Sequence, residues 1–344
     1  VTLKKLLIIS DTNNWCFANR ANALRKWAPP DWTVEQVACH AAKDLPKVVF
    51  EGTDVVFCLP THYVGPLRRI FQVAKLPIPL VASHNSGLGR RWEWFLQAIL
   101  SADYTICNNY ATWMAARLQI QPQKLSCANI SNGIDTETFR PLHVARPLRS
   151  VVWVSSQSKA GAEHPGECNV ENDVKGYWTV LRSLKTLLEN TGWKVNYVIR
   201  GYRNALTPDQ MAQIYNANSF VVCASYAEGT PNFLLEAMAC GCIPVTTNVG
   251  NVPELVKDGV NGHIVHDMLT RSFWAALERG IDGIDTMREH VLDSIHSWDW
   301  EYRVPYFFAV FDSLVDGRVP MPFTYLQEFE AAADDPIPRQ KAAV

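Results

Sequence analysis

Short runs of apolar and β-branched residues alternate with helix-length amphipathic stretches along this chain, and the alternation happens twice. Strands separated by helices have no tight turn to reverse them, so they must run parallel, with the helices covering both faces of the sheet. In the first half, residues 6–10, 34–39, 54–59, 78–83, 104–107 and 125–130 read as strands, and 18–27, 64–74, 91–100 and 110–118 as helices. In the second half the strands are 151–154, 194–199, 220–223, 243–246 and 263–265, with helices over 176–189, 208–217, 232–239, 252–257 and 271–279. The pattern predicts an α/β fold of two Rossmann-like, doubly wound domains. A length of 344 residues agrees, because single cores stop growing at about 250–300 residues. We divide the chain into an N-terminal domain over 1–145 and a C-terminal domain over 146–299. The stretch around 135–150, with Pro141 and Pro147, has the composition of a linker. An aromatic helix over 300–330, rich from Trp298 to Phe311, is expected to cross between the domains, and the polar tail 331–344 is expected to be mobile.

Charge is divided as sharply as the pattern is repeated. Residues 1–150 carry 17 Lys and Arg against 10 Asp and Glu, a net +7, while 151–344 carry 15 against 24, a net −9. A basic half raises the local concentration of an anionic partner, be it a phosphate-bearing small molecule, a membrane surface or nucleic acid; the competing reading is uneven solvated surface. No window reaches the roughly 18 uninterrupted apolar residues of a membrane span, and the first apolar run, Leu6 to Ile9, is strand-sized. The expectation is a cytoplasmic protein, peripheral at most to a membrane. The nine cysteines are scattered, mostly through apolar segments, as buried thiols would be. Neither Cys240 with Cys242 nor His164 with Cys168 has a second ligand pair at a zinc-site spacing, so no metal is expected.

The segment richest in chemistry is Ser225-Tyr-Ala-Glu-Gly-Thr-Pro-Asn-Phe-Leu-Leu-Glu-Ala-Met. It begins where the apolar strand 220–223 ends. Gly229-Thr230-Pro231 then makes a turn into a helix, whose first backbone N–H groups face the crevice and attract phosphate. Glu228 precedes the turn and Glu236 lies within the helix. Carboxylates at these positions accept several hydrogen bonds from vicinal hydroxyls. A lone surface glutamate would be a solvated charge, but these two flank the apolar run Phe233-Leu234-Leu235.

The segment resembles the Glu-x7-Glu signature of retaining GT-B glycosyltransferases, in particular glycosyltransferase family 4. Its flanks are similar too. Gly241, Pro244 and Val245 fit the family's Gly-x-Pro-Val. Val249 to Gly262 fits Gly-Gly-x-Pro-Glu-x-Val-x-Asp-Gly-x-x-Gly, with Asn251 in place of the second glycine. Asn132-Gly-Ile-Asp-Thr-Glu-Thr-Phe-Arg-Pro resembles the segment before the interdomain linker, and Ser297-Trp298-Asp299-Trp300 the motif before the final helix. The resemblance implies a metal-independent transfer of a hexosyl group from a nucleoside-diphosphate sugar, UDP-linked by preference, with no further cofactor. It implies that Glu228 binds hydroxyls of the donor sugar, Glu236 the ribose, and Gly229, Thr230, Pro231 and Asn232 the diphosphate or sugar through their backbone. Lys175, from a Lys-Gly pair, would neutralise the leaving phosphate, where a fixed cation favours the transition state. The chain departs from the family after the first strand of its second half, where Val154-Ser-Ser-Gln-Ser-Lys replaces Gly-Arg-Leu and residues 158–172 form an insertion. Lys159 and Arg200 are the candidates for the missing cation.

In the first half the resemblance thins, as it would if that half meets a variable acceptor. His84 ends a strand where family members carry a histidine near the reacting centre. Asp11, Asn13, Asn14 and Trp15 follow the first strand and, with His62, form the candidate acceptor side. Arg20, Arg25, Arg68, Arg69, Arg90 and Arg91 extend it as a basic wall, and Trp15, Trp27, Trp32, Trp92 and Trp94 are either core or stacking groups. A lipid-linked or glycan hydroxyl is the first acceptor class and a hydroxymethylated base of DNA the second. A non-catalytic nucleotide-sugar binding module is the rival that the missing arginine suggests.

Overall fold

The computed structural model describes residues 3–11, 15–84, 92–119, 126–156, 173–200, 206–320 and 323–324. The first unit contains β1 (Lys4–Ser10), α1 (Trp15–Lys26), β2 (Trp32–Ala38), β3 (Val55–Cys58), α2 (Val64–Ala74), β4 (Leu80–His84), α3 (Trp92–Ser101), β5 (Tyr104–Cys107), α4 (Tyr110–Gln119) and β6 (Cys127–Asn129). The second contains β7 (Ser150–Ser156), α5 (Arg182–Asn190), β8 (Lys194–Arg200), α6 (Pro208–Asn216), β9 (Phe220–Cys223), α7 (Asn232–Ala239), β10 (Ile243–Thr247), α8 (Val252–Leu255), β11 (His263–Val265), α9 (Thr270–Arg279) and α10 (Ile284–His296). The chain then runs through α11 (Trp300–Val315) to β12 (Phe323–Thr324).

Among the described residues the strands form two sheets, ordered β12-β6-β5-β4-β3-β1-β2 and β11-β10-β9-β7-β8, and their pairings are parallel. Each order reverses direction once, between β1 and β3 and between β7 and β9. A crevice at the carboxyl ends of the strands opens at such a reversal, and ligands bind there. Strand β1 shows why the sequence has runs of apolar residues and not an alternation. Leu6 and Ile8 enter one core while Leu7 and Ile9 enter another, so both faces of the sheet are covered.

The sequence missed α10 although its pattern was legible: Ile284, Met287, Val291 and Ile295 are its buried face, at helical spacing. Strand β12, two residues long, is too short to leave a periodic signal. The helix expected over 176–189 begins instead as a π-helical turn, Tyr177–Leu181. The N–H groups of both Val180 and Leu181 bond the Gly176 carbonyl, and the Asp173 carboxylate accepts from the backbone and hydroxyl of Thr179 at 2.8 Å each. Such turns concentrate at functional sites.

The linker is pinned to the second unit. Asn216 accepts from Leu142 N and Arg146 Nη2 and donates to the Arg140 carbonyl, at 2.7, 3.1 and 2.9 Å. Two crossings of the chain between the units are stitched together. Ile134 N donates to Trp298 O at 2.9 Å and Trp300 N to Ile134 O at 3.1 Å, while Asp299 accepts from Thr136 N and caps α11 through Glu301 N. From there α11 packs into the first unit, its Trp300, Val304, Phe307, Phe308, Phe311 and Leu314 joining the core of β1, β3 and β5. Trp32 belongs to the same core, edge-on to Phe308 at 5.4 Å, so it is a packing residue and not a stacking platform. We expect Phe311→Ala to destabilise the protein by about 3–5 kcal/mol, read as a lower urea midpoint.

Candidate active site

Ala224 and Ser225 follow strand β9 at the reversal point of the second sheet, and the chain segment before α5 folds back against that end. Tyr226 N donates to Val174 O at 2.8 Å. Gly176 stands at φ +66°, so close to the strand end that an added Cβ would lie 2.0 Å from the Ala224 carbonyl oxygen. Only glycine fits there, and the approach sets its neighbour Lys175 beside Glu228. The Lys175 ammonium and the Glu228 carboxylate form an ion pair whose side chains are 14% and 11% exposed, and Ser225 Oγ donates to the same carboxylate oxygen at 2.7 Å. The loop after β10 supports the pair from below. Gly250, at φ +56°, would carry a Cβ 2.1 Å from the Gly229 carbonyl oxygen, and Asn251 N donates to that oxygen at 3.0 Å.

Glu236, one turn into α7, is buried, and its Oε2 accepts from the Tyr215 hydroxyl at 2.7 Å. Pro231 is the residue preceding α7, whose helical run starts at Asn232. The first N–H groups of a helix have no partner within it; here the loop from Glu228 to Pro231 leads directly into them, and Leu234 N donates to Pro231 O at 2.8 Å. Thr230 and Asn232 instead turn toward the first unit, where Thr230 Oγ1 donates to Asn108 O at 3.2 Å and Asn232 Oδ1 accepts from Asn132 Nδ2 at 3.0 Å.

On that side His84 ends β4 and is buried. Burial pulls its imidazole down to about 3, so the ring is neutral across the physiological range. Asp11 follows β1, with a buried Oδ1 that has no hydrogen-bond partner among the described residues. Burial and then its nearby charge raise the Tyr63 phenol. His62 is exposed and stacks edge-on with Tyr63 at 4.4 Å; no described contact carries it to the pair. Asn13, Asn14, Lys159, Arg90 and Arg91 lie outside the described residues, as do the side chains of Trp15, Trp92, Trp94 and Arg200. The basic wall is partly dismantled. Arg68 pairs with Asp103 at 2.7 Å, and Arg20 is a buried residue, 1% exposed, and not a surface cation.

Several residues at the meeting of the two units escaped the sequence reading. Glu254, at the start of α8, accepts from Tyr110 N at 2.5 Å and so caps α4 across the interface, and Ser131 Oγ lies 3.2 Å from its other oxygen. Asn109 accepts from Thr112 N at 2.8 Å, and its Nδ2 reaches the Gly229 carbonyl at 3.5 Å. The signal for these was a polar pair, Asn108-Asn109, directly after an apolar strand. Among the described residues no group of three or more His, Cys, Asp or Glu side chains is placed to hold a metal ion, and no helix is long and apolar enough to cross a membrane. Chemically, a cation, a carboxylate and a helix N-terminus at one strand end suit a ligand that carries both phosphate and vicinal hydroxyls.

The sequence model for group 1 glycosyl transferases matches residues 174–282, which include Lys175, Glu228 and Glu236. Over that segment the chain is similar to the group 1 glycosyl transferases. Alpha-maltose-1-phosphate synthase of Mycobacterium tuberculosis is 41% identical over 64 residues, 19% of this chain and 16% of that protein. D-inositol 3-phosphate glycosyltransferase of Mycolicibacterium vanbaalenii is 32% identical over 100 residues, 28% of this chain and 22% of that one. The matched stretches thus span less than a quarter of these relatives. The fold likeness reaches further than the group 1 segment. Sucrose-phosphate synthase from Thermosynechococcus elongatus superposes with a TM-score of 0.69 at 14% identity, covering 91% of this chain and 100% of that one. Anabaena HepE, solved in complex with UDP-glucose, gives 0.63 at 15% identity, covering 91% and 99%. The GT-B architecture expected from the sequence is the one the chain adopts.

Two outcomes follow from the local geometry. Gly176→Ala must push Lys175 away from Glu228, with a stability loss of about 1–3 kcal/mol, measurable by urea unfolding. For His84 the unfolded ring takes up a proton below about 6.5 and the folded ring only near 3, so its effect on stability is absent above 6.5 and grows more unfavourable as the pH falls through that window. His84→Gln is expected to make the acid slope of unfolding free energy shallower by about 1.4 kcal/mol per pH unit.

Proposed function

We propose that the chain is a retaining glycosyltransferase that moves a hexosyl group from a nucleoside-diphosphate sugar to a hydroxyl acceptor. The observation that carries the reading is the Lys175–Glu228 pair at the β7/β9 reversal, in the loop that leads into α7, within the segment that matches the group 1 family. A diphosphate arriving at that helix end competes with Glu228 for the Lys175 ammonium, and the released carboxylate then accepts from sugar hydroxyls. As the glycosidic bond breaks, charge grows on the departing phosphate oxygen, which Lys175 and the helix N–H groups stabilise. The same oxygen takes the acceptor's proton on the face it leaves, so no separate protein base is required. Glu236, held by Tyr215, is assigned to the ribose and the backbone from Gly229 to Asn232 to the diphosphate.

The acceptor enters from the first unit. His84, neutral because it is buried, donates or accepts a hydrogen bond at the sugar without adding charge, and Asp11 orients the incoming hydroxyl. UDP-linked sugar is the preferred donor, supported by the UDP-glucose complex of the similarly folded Anabaena HepE. We assign no metal to the reaction. In a screen of UDP-, GDP- and ADP-sugars against glycan, polyprenyl and hydroxymethylated DNA acceptors, the wild-type chain is expected to turn over one donor. Glu228→Gln and Lys175→Met should each lower kcat by roughly 10²–10³-fold. Donor binding without turnover on any acceptor would instead make the chain a binding module.

A further inference from the structure

Arg20 lies in α1, far along the chain from the donor loop, yet it is among the most deeply buried large side chains of the protein at 1% exposure. Its Nε donates to Asn132 Oδ1 at 2.9 Å, its Nη2 to the same oxygen, and its Nη1 to Ser83 Oγ, beside His84. The Phe307 ring of α11 lies 5.9 Å from the guanidinium carbon. Asn132 in turn donates through Nδ2 to Asn232 Oδ1 at 3.0 Å.

The direction of this chain of bonds is forced. A guanidinium has donors and no acceptor, so Asn132 must present its oxygen to Arg20 and its amide nitrogen to Asn232. Asn232 must then present its oxygen to Asn132, which leaves its own Nδ2 as the outer end. That nitrogen has no partner among the described residues, and Asn232, half-buried, is the first residue of α7. A donor is therefore left over at the start of α7, where the diphosphate is expected. Each bond in such a chain polarises the next, and burial keeps water from screening the charge at its inner end.

We propose that Arg20 is a positioning residue for the donor diphosphate, acting through Asn132 to aim the Asn232 amide N–H at a phosphate oxygen. The proposal rests on the donor site described above. It supplies positive potential from the first unit to a crevice where Ser155-Ser156 stands at the position of the family's arginine-bearing turn.

The test compares binding of a nucleoside diphosphate with binding of its nucleoside, using UDP against uridine, with GDP and ADP and their nucleosides in parallel, by titration calorimetry. Arg20→Met is expected to weaken UDP about 10-fold and leave uridine unchanged, and Arg20→Lys to weaken it less, because an ammonium retains the charge but cannot hold both partners in one fork. Asn232→Asp preserves the bond from Asn132 but turns the outer donor into an acceptor. It is expected to weaken UDP by at least 10-fold, again with uridine unchanged, and the loss should shrink as the pH is lowered toward the range where a carboxyl takes up its proton. A general structural role would lower UDP and uridine affinity together, and that result, or unchanged UDP binding in folded Arg20→Met and Asn232→Asp, overturns the relay alone. A wild-type chain that binds none of UDP, GDP and ADP overturns the donor-site reading and the relay with it.

Discussion

The backbone exchange between Ile134 and its neighbours Trp298 and Trp300 is the constraint on which the rest of the arrangement depends. The chain passes from the first sheet to the second at one of these segments and returns at the other, and the two passages are bonded to each other. Gly133 makes that contact close, since an added Cβ would meet the Trp300 ring at 2.8 Å and the Trp298 carbonyl at 2.9 Å. Two segments that read in the sequence as separate motifs, 165 residues apart from Gly133 to Trp298, are thus halves of one joint. Everything at the site is placed relative to it: Asn132 and Ser131 precede the joint on one strand, and Asp299 starts α11 on the other.

The site is assembled by close backbone approaches more than by long side chains. Gly176 against Ala224, and Gly250 against Gly229, bring three loops at the ends of β7, β9 and β10 within contact of one another. The Lys175–Glu228 pair is a product of that crowding. Removing either partner leaves the other charge in a pocket that water hardly reaches, which costs more than the pair contributes when intact. A donor that replaces one member of the pair while satisfying both is therefore favoured over any ligand that merely fills the space.

The fold was largely legible because parallel sheets announce themselves: Phe220 to Cys223 and Tyr104 to Cys107 are apolar runs too short for helices, and their limits in the structure coincide with those read from sequence. The donor loop was legible because turn chemistry and carboxylates are local. What could not be read is contact between distant residues. Nothing near Arg20 in the sequence says that it is buried, since arginines are usually exposed, and its partners Ser83 and Asn132 are 63 and 112 residues away. Glu254 stood inside a recognised motif, but its role as a cap on α4 depends on how the two units meet, which no periodicity encodes.

The return of the chain after α10 has a consequence for how the molecule comes into being on the ribosome. The core of the first unit is closed by α11 and its sheet is extended by β12 against β6, so residues from Trp300 onward complete a sheet whose first strand begins at Lys4. Domains form as units while synthesis proceeds from the N-terminus. Here the five-stranded sheet, drawn from residues between 150 and 265, has all its strands before the seven-stranded one does. The half of the protein that emerges first is the half that must wait, with one apolar face of β1, β3 and β5 covered only in part, by Ala21, Ala23 and Leu24 of α1, until the aromatic helix arrives.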